Sequence, residues 1–257
     1  GCVIGDEAHM FKAKSLTSIM TKLHQCKYRF GFTGTLDGTE THRLVLEGLF
    51  GSVEQVVTTK ELIDKKTLAN LKIKCITLKH PEKREKMTYA EELDYIVSHE
   101  KRNTFLCDLL HHLNGNTLCL FQLVEKHGKV LYERMKGKEN VYFVYGATSA
   151  EQREEIRTIV DKSKNSTTIA SYGTFSTGIN IRNINNIVLA SPSKSKIRVL
   201  QSIGRGLRTS SSKDSILVFD IADDISYKGR YNFTLNHFFE RLNIYNEEQF
   251  NYEISKV

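Results

Sequence analysis

The chain has 257 residues, of which 40% are hydrophobic and 26% are charged, and its formal net charge is +7. This is an ordinary globular composition for one large or two small domains, and a chain with only two prolines is not a proline-rich or disordered one. No apolar run approaches the length of a membrane span, which predicts a soluble protein without a membrane partner. The positive charge favours a polyanionic partner such as nucleic acid.

Five cysteines are scattered along the chain, odd in number and never spaced as C-x-x-C. Neither a disulfide framework nor a zinc site is predicted, and a cytoplasmic location is expected. The chain opens on Gly1-Cys2-Val3, without the charged region or cleavage site of a secretory signal. Because it opens inside a predicted strand, we expect the first domain to be truncated at its N-terminus.

Residues 1–80 have the pattern of a β–α–β unit and are assigned to the remainder of a first domain. The predicted elements are, in order, strand 2–4, helix 15–25, strand 28–32, helix 40–49, an extended stretch at 53–59 and strand 71–79. Both early strands run into polar residues, the first into Asp6 and Glu7 and the second into Thr33-Gly34-Thr35. In an open parallel sheet, ligands bind at the carboxyl ends of the strands, so these residues are candidates for a site.

The highly charged stretch 81–103 is assigned as a linker, with a solvated helix face as the alternative. Residues 104–225 are assigned to a second domain. Its predicted elements are helix 102–113, strand 117–121, helix 124–136, strand 141–145, helix 149–162, strand 167–171, strand 186–190, helix 196–208 and strand 215–220. Regular alternation of strands and helices predicts an α/β fold with parallel sheets.

The tail 226–257 is assigned as a short C-terminal helical extension. It carries many aromatic residues with Lys228, Arg230 and Arg241 among them. Aromatic residues beside basic ones can stack nucleic-acid bases. The helical spacing of Phe238 and Tyr245 favours packing of an apolar face instead.

The carboxylates after the first strand suit metal-assisted phosphoryl transfer. Mg²⁺ is a hard cation that takes oxygen ligands and keeps several waters, so one carboxylate such as Asp6 suffices beside it. A second carboxylate, Glu7, could orient or deprotonate an attacking water. The alternative is an ordinary helix start, where acidic residues are favoured by the helix dipole.

Residues 201–208, Gln-Ser-Ile-Gly-Arg-Gly-Leu-Arg, supply the matching positive charge. On a helix, Gln201, Gly204, Arg205 and Arg208 fall on one face. Guanidinium groups one turn apart can grip phosphate oxygens bidentately and stabilise charge that develops on a transferred phosphate. A solvated basic helix end is the alternative.

Four segments in order resemble motifs II, III, V and VI of the superfamily 2 helicases that carry the DEAH motif, a family that includes phage recombination helicases. They are Asp6-Glu7-Ala8-His9, Thr33-Gly34-Thr35, the loop 174–180 with Gly178, and Gln201-x-x-Gly204-Arg205-x-x-Arg208. Each motif alone is weak to moderate, but four in order and in the expected context are a strong signal. The resemblance covers the whole chain and implies tandem RecA-like domains.

The resemblance implies an ATP-dependent DNA helicase that unwinds or remodels branched DNA in recombination, repair and replication. ATP and Mg²⁺ are the implied cofactors, with branched or single-stranded DNA as partner, an RNA–DNA hybrid as a further substrate, and a monomer in the cytoplasm of the host cell. By motif, Asp6 would bind Mg²⁺ and Glu7 would activate water, while His9 and Gln201 would contact the nucleotide. Arg205 and Arg208 would face the γ-phosphate.

The remaining motif residues would link nucleotide to nucleic acid. By resemblance, Thr33, Gly34 and Thr35 couple the nucleotide to motion, and Gly178 touches nucleotide or nucleic acid. The predicted nucleic-acid contacts are Thr174, Thr177, Lys194, Lys196 and Arg198, the last three because they cluster just before the arginine helix.

The chain departs from the family at one point. A G-x-x-x-x-G-K-[ST] phosphate loop does not occur in the sequence, since Gly128-Lys129 is followed by Val130 and Gly137-Lys138 by Glu139. Without that cradle of backbone amides and a lysine, we predict that the 257 residues bind nucleotide poorly and hydrolyse almost none. Two alternatives follow, a double-stranded DNA translocase motor and a non-hydrolysing nucleic-acid-binding module.

Overall fold

The computed structural model describes residues 1–11, 13–36, 39–81, 87–178, 181, 183–193, 195–207 and 215–257, with backbone alone at 176–178, 196, 197 and 205. These residues fall into two compact units. The first comprises Gly1–Thr58 and Ser195–Gln201, and the second comprises Thr59–Lys194 and Ser202–Val257.

The described residues form helices and parallel strands in alternation. The strands are β1 Cys2–Gly5, β2 Tyr28–Gly31, β3 Asn70–Lys79, β4 Thr117–Phe121, β5 Val141–Val144, β6 Thr167–Ser171, β7 Asn186–Leu189, β8 Ser215–Asp224 and β9 Tyr252–Lys256. The α-helices are α1 Lys14–Lys22, α2 Glu40–Phe50, α3 Thr59–Asp64, α4 Tyr89–Ser98, α5 Glu100–His112, α6 Lys129–Arg134, α7 Ala150–Lys162, α8 Tyr172–Gly178, α9 Lys196–Gly206 and α10 Phe233–Glu247. A 3₁₀ turn at Ala8–Met10 and a π-helical turn at Val124–Gly128 complete the elements.

The first unit is built on β1 and β2, which pair in parallel from Cys2 opposite Tyr28 to Gly5 opposite Gly31. The two glycines at the carboxyl end of this pair make room for the ring of Phe50. A Cβ atom on Gly5 or on Gly31 would lie 2.9 Å from that ring, too close for any other residue to fit without movement. The Phe50 ring also meets Phe11 edge to face at 5.1 Å. Small residues at the strand ends therefore let the helix α2 side chain cover the sheet.

The second unit contains a seven-stranded sheet in the order β5-β6-β4-β7-β8-β3-β9, in which neighbouring strands are parallel. Every residue of the central strands β4, β6 and β7 is buried, as expected for parallel strands that are covered on both faces. The core cluster is made of buried side chains from the strands and the helices that cover them, namely Leu78, Leu106, Cys107, Leu110, Cys119, Phe121, Leu131, Met135, Ile169, Val188, Ala190, Phe219 and Ile221.

The predicted α/β class with parallel sheets is confirmed. The strands β4 and β6 have the predicted bounds, and most other elements end within a few residues of the prediction. The stretch at 53–59 is irregular up to residue 58 and then enters α3, so the extended segment expected there is not a strand. No described helix combines the length and apolarity that crossing a bilayer requires.

The strand β3 differs from the expected domain boundary. It was expected to close the first domain, but it pairs along its whole length with β8 and also with β9, inside the second unit. The division between the units falls after Thr58 rather than near residue 81. A parallel partner can lie far along the chain, so sequence proximity to the first unit is no guide to pairing.

The described part of the charged stretch 81–103 is mainly helix rather than linker, with residues 82–86 outside the described range. Helix α4 begins with a capping box between Thr88 and Glu91, a strong helix start. Its Glu92 is buried and accepts hydrogen bonds from the backbone nitrogens of Phe233 and Thr234 at 2.9 and 2.6 Å. Mixed charge here serves helix capping and the N-terminus of α10.

The tail contributes more than a helical extension, because its last residues form β9 at the edge of the large sheet. Phe238 and Tyr245 of α10 are buried, which confirms the predicted packing of that helix face. Tyr231 and Phe239, in contrast, are 62% and 36% exposed. The tail is thus an integral part of the second unit that also presents aromatic surface.

Candidate active site

The acidic pair lies at a sharp bend after β1. Glu7 has φ 48° and ψ 47°, the left-handed conformation, which costs roughly 1 kcal/mol or more for a residue with a side chain. The bend is held by hydrogen bonds from the Phe32 nitrogen to the Gly5 oxygen and from the Ala8 nitrogen to the Phe32 oxygen, both 2.8 Å. As a result Asp6 and Glu7 are exposed at the carboxyl end of the strand while the two residues that follow are buried.

The buried His9 connects motif II to motif III within the first unit. Its Nδ1 lies 2.9 Å from Thr33 Oγ1, and that hydroxyl donates to the Thr35 oxygen at 2.9 Å. Since the Thr33 proton is used in this way, the hydroxyl accepts from His9, which places a proton on Nδ1. Glu7 Oε2 lies 3.3 Å from the same nitrogen, so one imidazole N–H faces both the Glu7 carboxylate and the Thr33 hydroxyl.

Gln201 approaches the other side of the same ring. Its Nε2 lies 3.5 Å from His9 Nε2, a long hydrogen bond. An imidazole that is protonated on Nδ1 alone has its lone pair on Nε2, which suits donation from the glutamine amide. Segments near residues 9, 33 and 201 thus converge on one imidazole, and all three belong to the first unit.

The donor set at this strand end fits a magnesium nucleotide. Mg²⁺ takes oxygen ligands, keeps several waters and is bound through one or two carboxylates together with substrate phosphates. Asp6 and Glu7 supply exposed carboxylates at the end of β1. In the described parts of the chain, no three histidine, cysteine or acidic side chains cluster as metal ligands.

Motif V lies on α8, directly after β6 in the second unit. Thr174 is buried, and its Oγ1 lies 2.8 Å from Ser171 Oγ. The hydroxyl of Tyr172 donates to the Ser191 oxygen at 3.1 Å. These bonds fix the start of α8. Because Thr174 is buried and bonded within the unit, its contact with nucleic acid stays a prediction. The side chain of Thr177 and any contact of Gly178 lie outside the described residues.

Motif VI lies on α9. The backbone of this helix places Gln201 and Arg205 one turn apart, as predicted. The side chains of Lys196 and Arg205 lie outside the described residues, as do Lys194 and Arg208 altogether. Arg198 is partly exposed, and its backbone nitrogen bonds to Ser195 Oγ at 3.3 Å near the start of the helix. The roles assigned to these basic residues therefore stay predictions.

A buried ionic cluster in the second unit was not predicted from the sequence. Arg102 donates from Nε to Asp223 Oδ1 at 2.8 Å and from Nη2 to the Ala190 oxygen at 2.7 Å. His80 Nε2 lies 2.7 Å from the same carboxylate oxygen. Burial works against ionisation of Asp223, yet the Arg102 charge and the His80 hydrogen bond hold the pKa of this carboxyl below its usual value. Acidic residues inside the apolar run of β8 were the available signal, since buried carboxylates need partners.

His127 lines the same cluster without carrying charge. Burial, followed by the nearby Arg102 charge, lowers the pKa of His127 to about 3. Its Nδ1 lies 3.0 Å from Ser191 Oγ, and its Nε2 lies 3.4 Å from Arg102 Nη1. The ring is thus neutral at physiological pH, and it links the π-helical turn before α6 to Ser191, two residues after the end of β7.

A second buried arginine anchors the tail. Arg241 donates to both oxygens of Asp220, with a shortest distance of 2.7 Å, and Tyr245 donates to Asp220 Oδ2 at 2.8 Å. Arg241 Nη1 also donates to the Ser193 oxygen at 3.0 Å. Arg241, which the sequence analysis grouped with the basic tail residues, is therefore a structural ion-pair partner. Both buried arginines hold carbonyls in the segment 190–193 that precedes α9.

Residues 101–210 match the family described as the helicase conserved C-terminal domain. The chain therefore contains a helicase conserved C-terminal domain.

Among its relatives is the ATP-dependent DNA helicase UvsW of Enterobacteria phage T4, to which it is 34% identical over 275 aligned residues. The alignment covers 100% of this chain and 55% of the relative, so the chain spans about half the length of UvsW. The crystal structure of T4 UvsW matches with a TM-score of 0.63, at 34% identity and over 100% of this chain and 54% of that one.

Two solved structures of low sequence identity share this fold. The Type ISP restriction-modification enzyme LlaBIII bound to DNA matches with a TM-score of 0.65 at 12% identity, over 99% of this chain and 21% of that one. Saccharomyces cerevisiae Dbp5 bound to RNA matches with a TM-score of 0.56 at 14% identity, over 99% of this chain and 58% of that one. At these identities the likeness concerns the fold alone.

Proposed function

We propose that these residues belong to an ATP-dependent DNA helicase that unwinds or remodels branched DNA in recombination, repair and replication, in the cytoplasm of a phage-infected host. The observation that carries the proposal is the convergence of Thr33 and Gln201 on the His9 imidazole. Three separate segments, predicted to contact the nucleotide or to couple it to motion, meet there at 2.9 and 3.5 Å. The similarity to UvsW supports DNA as the substrate.

The residues divide the work of hydrolysis. Mg²⁺, when bound with ATP at Asp6, supplies charge neutralisation of the phosphates. Glu7 orients the attacking water and takes up its proton. His9 responds to the protonation state of Glu7, because its Nδ1 lies 3.3 Å from that carboxylate. Its hydrogen bonds then transmit this change to Thr33 and Gln201. Arg205 and Arg208 stabilise the negative charge that develops on the transferred phosphate.

The DNA partner follows from charge and from relatives. A net charge of +7 raises the local concentration of a polyanion and speeds its association. Contacts from Thr174, Thr177, Lys194, Lys196 and Arg198 would grip backbone phosphates and therefore carry little base preference. Branched or single-stranded DNA is the proposed substrate, an RNA–DNA hybrid a further one, and the monomer the proposed active form.

The test compares ATP hydrolysis by the 257-residue chain with that of a version extended at its N-terminus by a phosphate-loop domain, each with and without forked DNA. We expect turnover, stimulated by the fork, from the extended version alone. Arg205→Ala should abolish it. Arg43→Ala is the matched control, since Arg43 is an exposed arginine paired with Glu47 on a surface helix.

Each other outcome has a defined meaning. Turnover by the 257-residue chain itself would contradict the prediction made from the missing phosphate loop. If neither version hydrolyses ATP, a non-hydrolysing nucleic-acid-binding module becomes the better account. If the extended version hydrolyses ATP along duplex DNA but displaces no strand from a fork, the protein is a double-stranded DNA translocase.

A further inference from the structure

A tight hairpin follows β8 and presents basic and aromatic side chains together. Tyr227 and Arg230 form an isolated antiparallel bridge, with Tyr227 N to Arg230 O at 3.1 Å and Arg230 N to Tyr227 O at 2.9 Å. The two residues between them, Lys228 and Gly229, both have positive φ, at 47° and 75°. This is the geometry of a two-residue type I′ turn, the connection that suits the twist of a hairpin. The tip is therefore a defined structure.

The base of the hairpin is fixed by Asn232. Its Oδ1 accepts from the Ile225 nitrogen at 3.0 Å, and its Nδ2 donates to the Asp223 oxygen at 3.1 Å and to Glu92 Oε1 at 2.8 Å. These bonds connect the two ends of the segment to the end of β8 and to α4. Side chains on the hairpin consequently keep a fixed position on the second unit, and little ordering entropy is lost when they bind a ligand.

The hairpin and α10 together expose an aromatic pair. Tyr231 and Phe239 meet edge to face with centroids 5.1 Å apart, and Tyr231 remains 62% exposed. Next to them, Lys228 Nζ lies 5.1 Å from the centre of the Tyr227 ring, and Arg230 is exposed. Asp224, the nearest acid on the preceding strand, is already bound to Lys79 at 3.1 Å. The surface thus combines open π faces with positive charge.

The hairpin lies at the end of the large sheet that is formed by the carboxyl ends of its strands. All pairings in this sheet are parallel, so the turn after β8 and the motif V helix after β6 emerge at the same edge. Three strand spacings separate β6 from β8, which corresponds to about 14 Å. A polyanion that extends along this edge from motif V would reach the hairpin.

We propose that the hairpin 227–231 with Phe239, called here the aromatic hairpin, binds an unpaired stretch of DNA by stacking a base on Tyr231 while Lys228 and Arg230 contact phosphates. A single strand is the partner that offers both a π face and a backbone of negative charge, and stacking on aromatic side chains is tolerant of base sequence. The inference rests on the proposed function, because it names a contact that the helicase makes with the strand it has separated.

The test measures affinity of the chain for fluorescent oligothymidylate and for an abasic oligonucleotide of equal length. Wild-type chain should prefer the oligothymidylate. Tyr231→Ala should weaken oligothymidylate binding roughly 5- to 150-fold, the usual effect of losing one stacked base, and should remove the preference over the abasic strand. Tyr231→Phe should retain both.

Two variants separate stacking from charge and from general effects of substitution. Lys228→Ala should weaken the binding of both oligonucleotides alike. It should also lower the slope of log affinity against log salt concentration by about 1, as expected for a phosphate contact. Tyr28→Ala is the matched control, since Tyr28 is 54% exposed and has Lys27 Nζ 5.6 Å from its ring centre, but lies in the first unit. It should leave both affinities unchanged. Circular dichroism confirms that each variant is folded.

Photocrosslinking supplies a second readout that does not depend on substitution. Trypsin cleaves after Arg230 and Arg241 and releases a peptide of residues 231–241 that holds both exposed rings. With an iododeoxyuridine oligonucleotide, the crosslink should appear on this peptide. Crosslinks confined to other peptides would overturn the inference.

The outcomes distinguish the inference from the proposed function. If wild-type chain binds neither oligonucleotide, the proposed function fails and the inference fails with it. If wild-type chain binds both strands equally and Tyr231→Ala matches it, the inference fails while the proposed function stands. That second result is also the one expected if the aromatic hairpin served a protein partner instead of DNA.

Discussion

The buried pair of Asp220 and Arg241 gives the sharpest prediction about stability. Both side chains are almost completely buried, at 0% and 2% exposure. Arg241→Met would leave the Asp220 carboxylate with the Tyr245 hydroxyl at 2.8 Å and without its guanidinium. Removing one partner from a buried ion pair costs about 3–5 kcal/mol, because the remaining charge is uncompensated. Asp220→Leu should cost a similar amount for the converse reason.

The double variant tests the reasoning more strictly than either single one. Asp220→Leu with Arg241→Met leaves no buried charge at this place. The Tyr245 hydroxyl loses its acceptor and the Ser193 oxygen loses the Arg241 donor, at about 1–3 kcal/mol for each unsatisfied group. The sum of the single variants should therefore exceed the double variant by about 3 kcal/mol or more. Each single variant should lower the Tm of the second unit by roughly 6 to 20 °C.

Urea unfolding followed by far-UV circular dichroism measures these free energies. Arg134→Met is the control in the same unit, since its partner Glu100 is 75% exposed and such a surface pair contributes less than about 1 kcal/mol. The reasoning would be refuted if Arg241→Met cost no more than this control. It would equally be refuted if the effects of the two single variants simply added.

Three further predictions concern protonation, coupling and helix capping. His127 has its pKa lowered to about 3 in the folded chain, well below its usual value near 6.5, so the unfolded chain binds the extra proton. The contribution of His127 to the free energy of unfolding should be fully present above pH 6.5 and should fall by about 1.4 kcal/mol per pH unit between pH 6.5 and pH 3. Denaturant titrations of His127→Gln should not show this pH-dependent loss. Identical pH profiles for the two proteins would contradict the assignment. Thr33→Val removes the hydroxyl that accepts the 2.9 Å hydrogen bond from His9. In the version extended by a phosphate-loop domain, this change should reduce the stimulation of ATP hydrolysis by DNA severalfold more than it reduces the basal rate. Equal loss of both rates would argue against coupling. Thr88→Ala removes the capping box of α4 and should cost about 1 kcal/mol in urea unfolding, whereas Thr88→Ser should restore most of it; a cost equal for both would rule out the cap.

Local signals predicted the elements of this fold well. The runs that became β4 and β6 are short and rich in β-branched or apolar residues, and every residue in them is buried. Capping at Ser149 marks the start of α7. The helix α4, whose capping box begins at Thr88, was not predicted as a separate element, because it lies in the stretch assigned as a charged linker. The position of β3 could not be predicted in this way, because its partners β8 and β9 are far along the chain and parallel pairing leaves no turn between them.

The candidate site was predicted by motif but not by contact. The order of the motifs identified His9, Thr33 and Gln201 as members of one site, yet only the structure shows them on a single imidazole. The buried arginines had no motif, and Arg102 was read as part of a charged, solvated stretch. A charged residue in a polar stretch looks the same in sequence whether it is solvated or paired inside the core, since its partner lies elsewhere in the chain.

The position of β3 has a consequence for synthesis and folding. Residues 70–79 leave the ribosome first, but their neighbours at 215–224 and 252–256 follow only some 140 and 180 residues later. At about 5–20 residues per second the strand waits roughly 7 to 36 seconds for its partners, with both edges open to other chains. Lys72 and Lys74 lie on its polar face, 61% and 41% exposed, and meet Glu253 of β9 at 3.6 and 3.7 Å in the finished sheet. Until Glu253 arrives, the same lysines repel a second copy of the strand, so the charges that hold the edge strand in place first protect the nascent chain from aggregation.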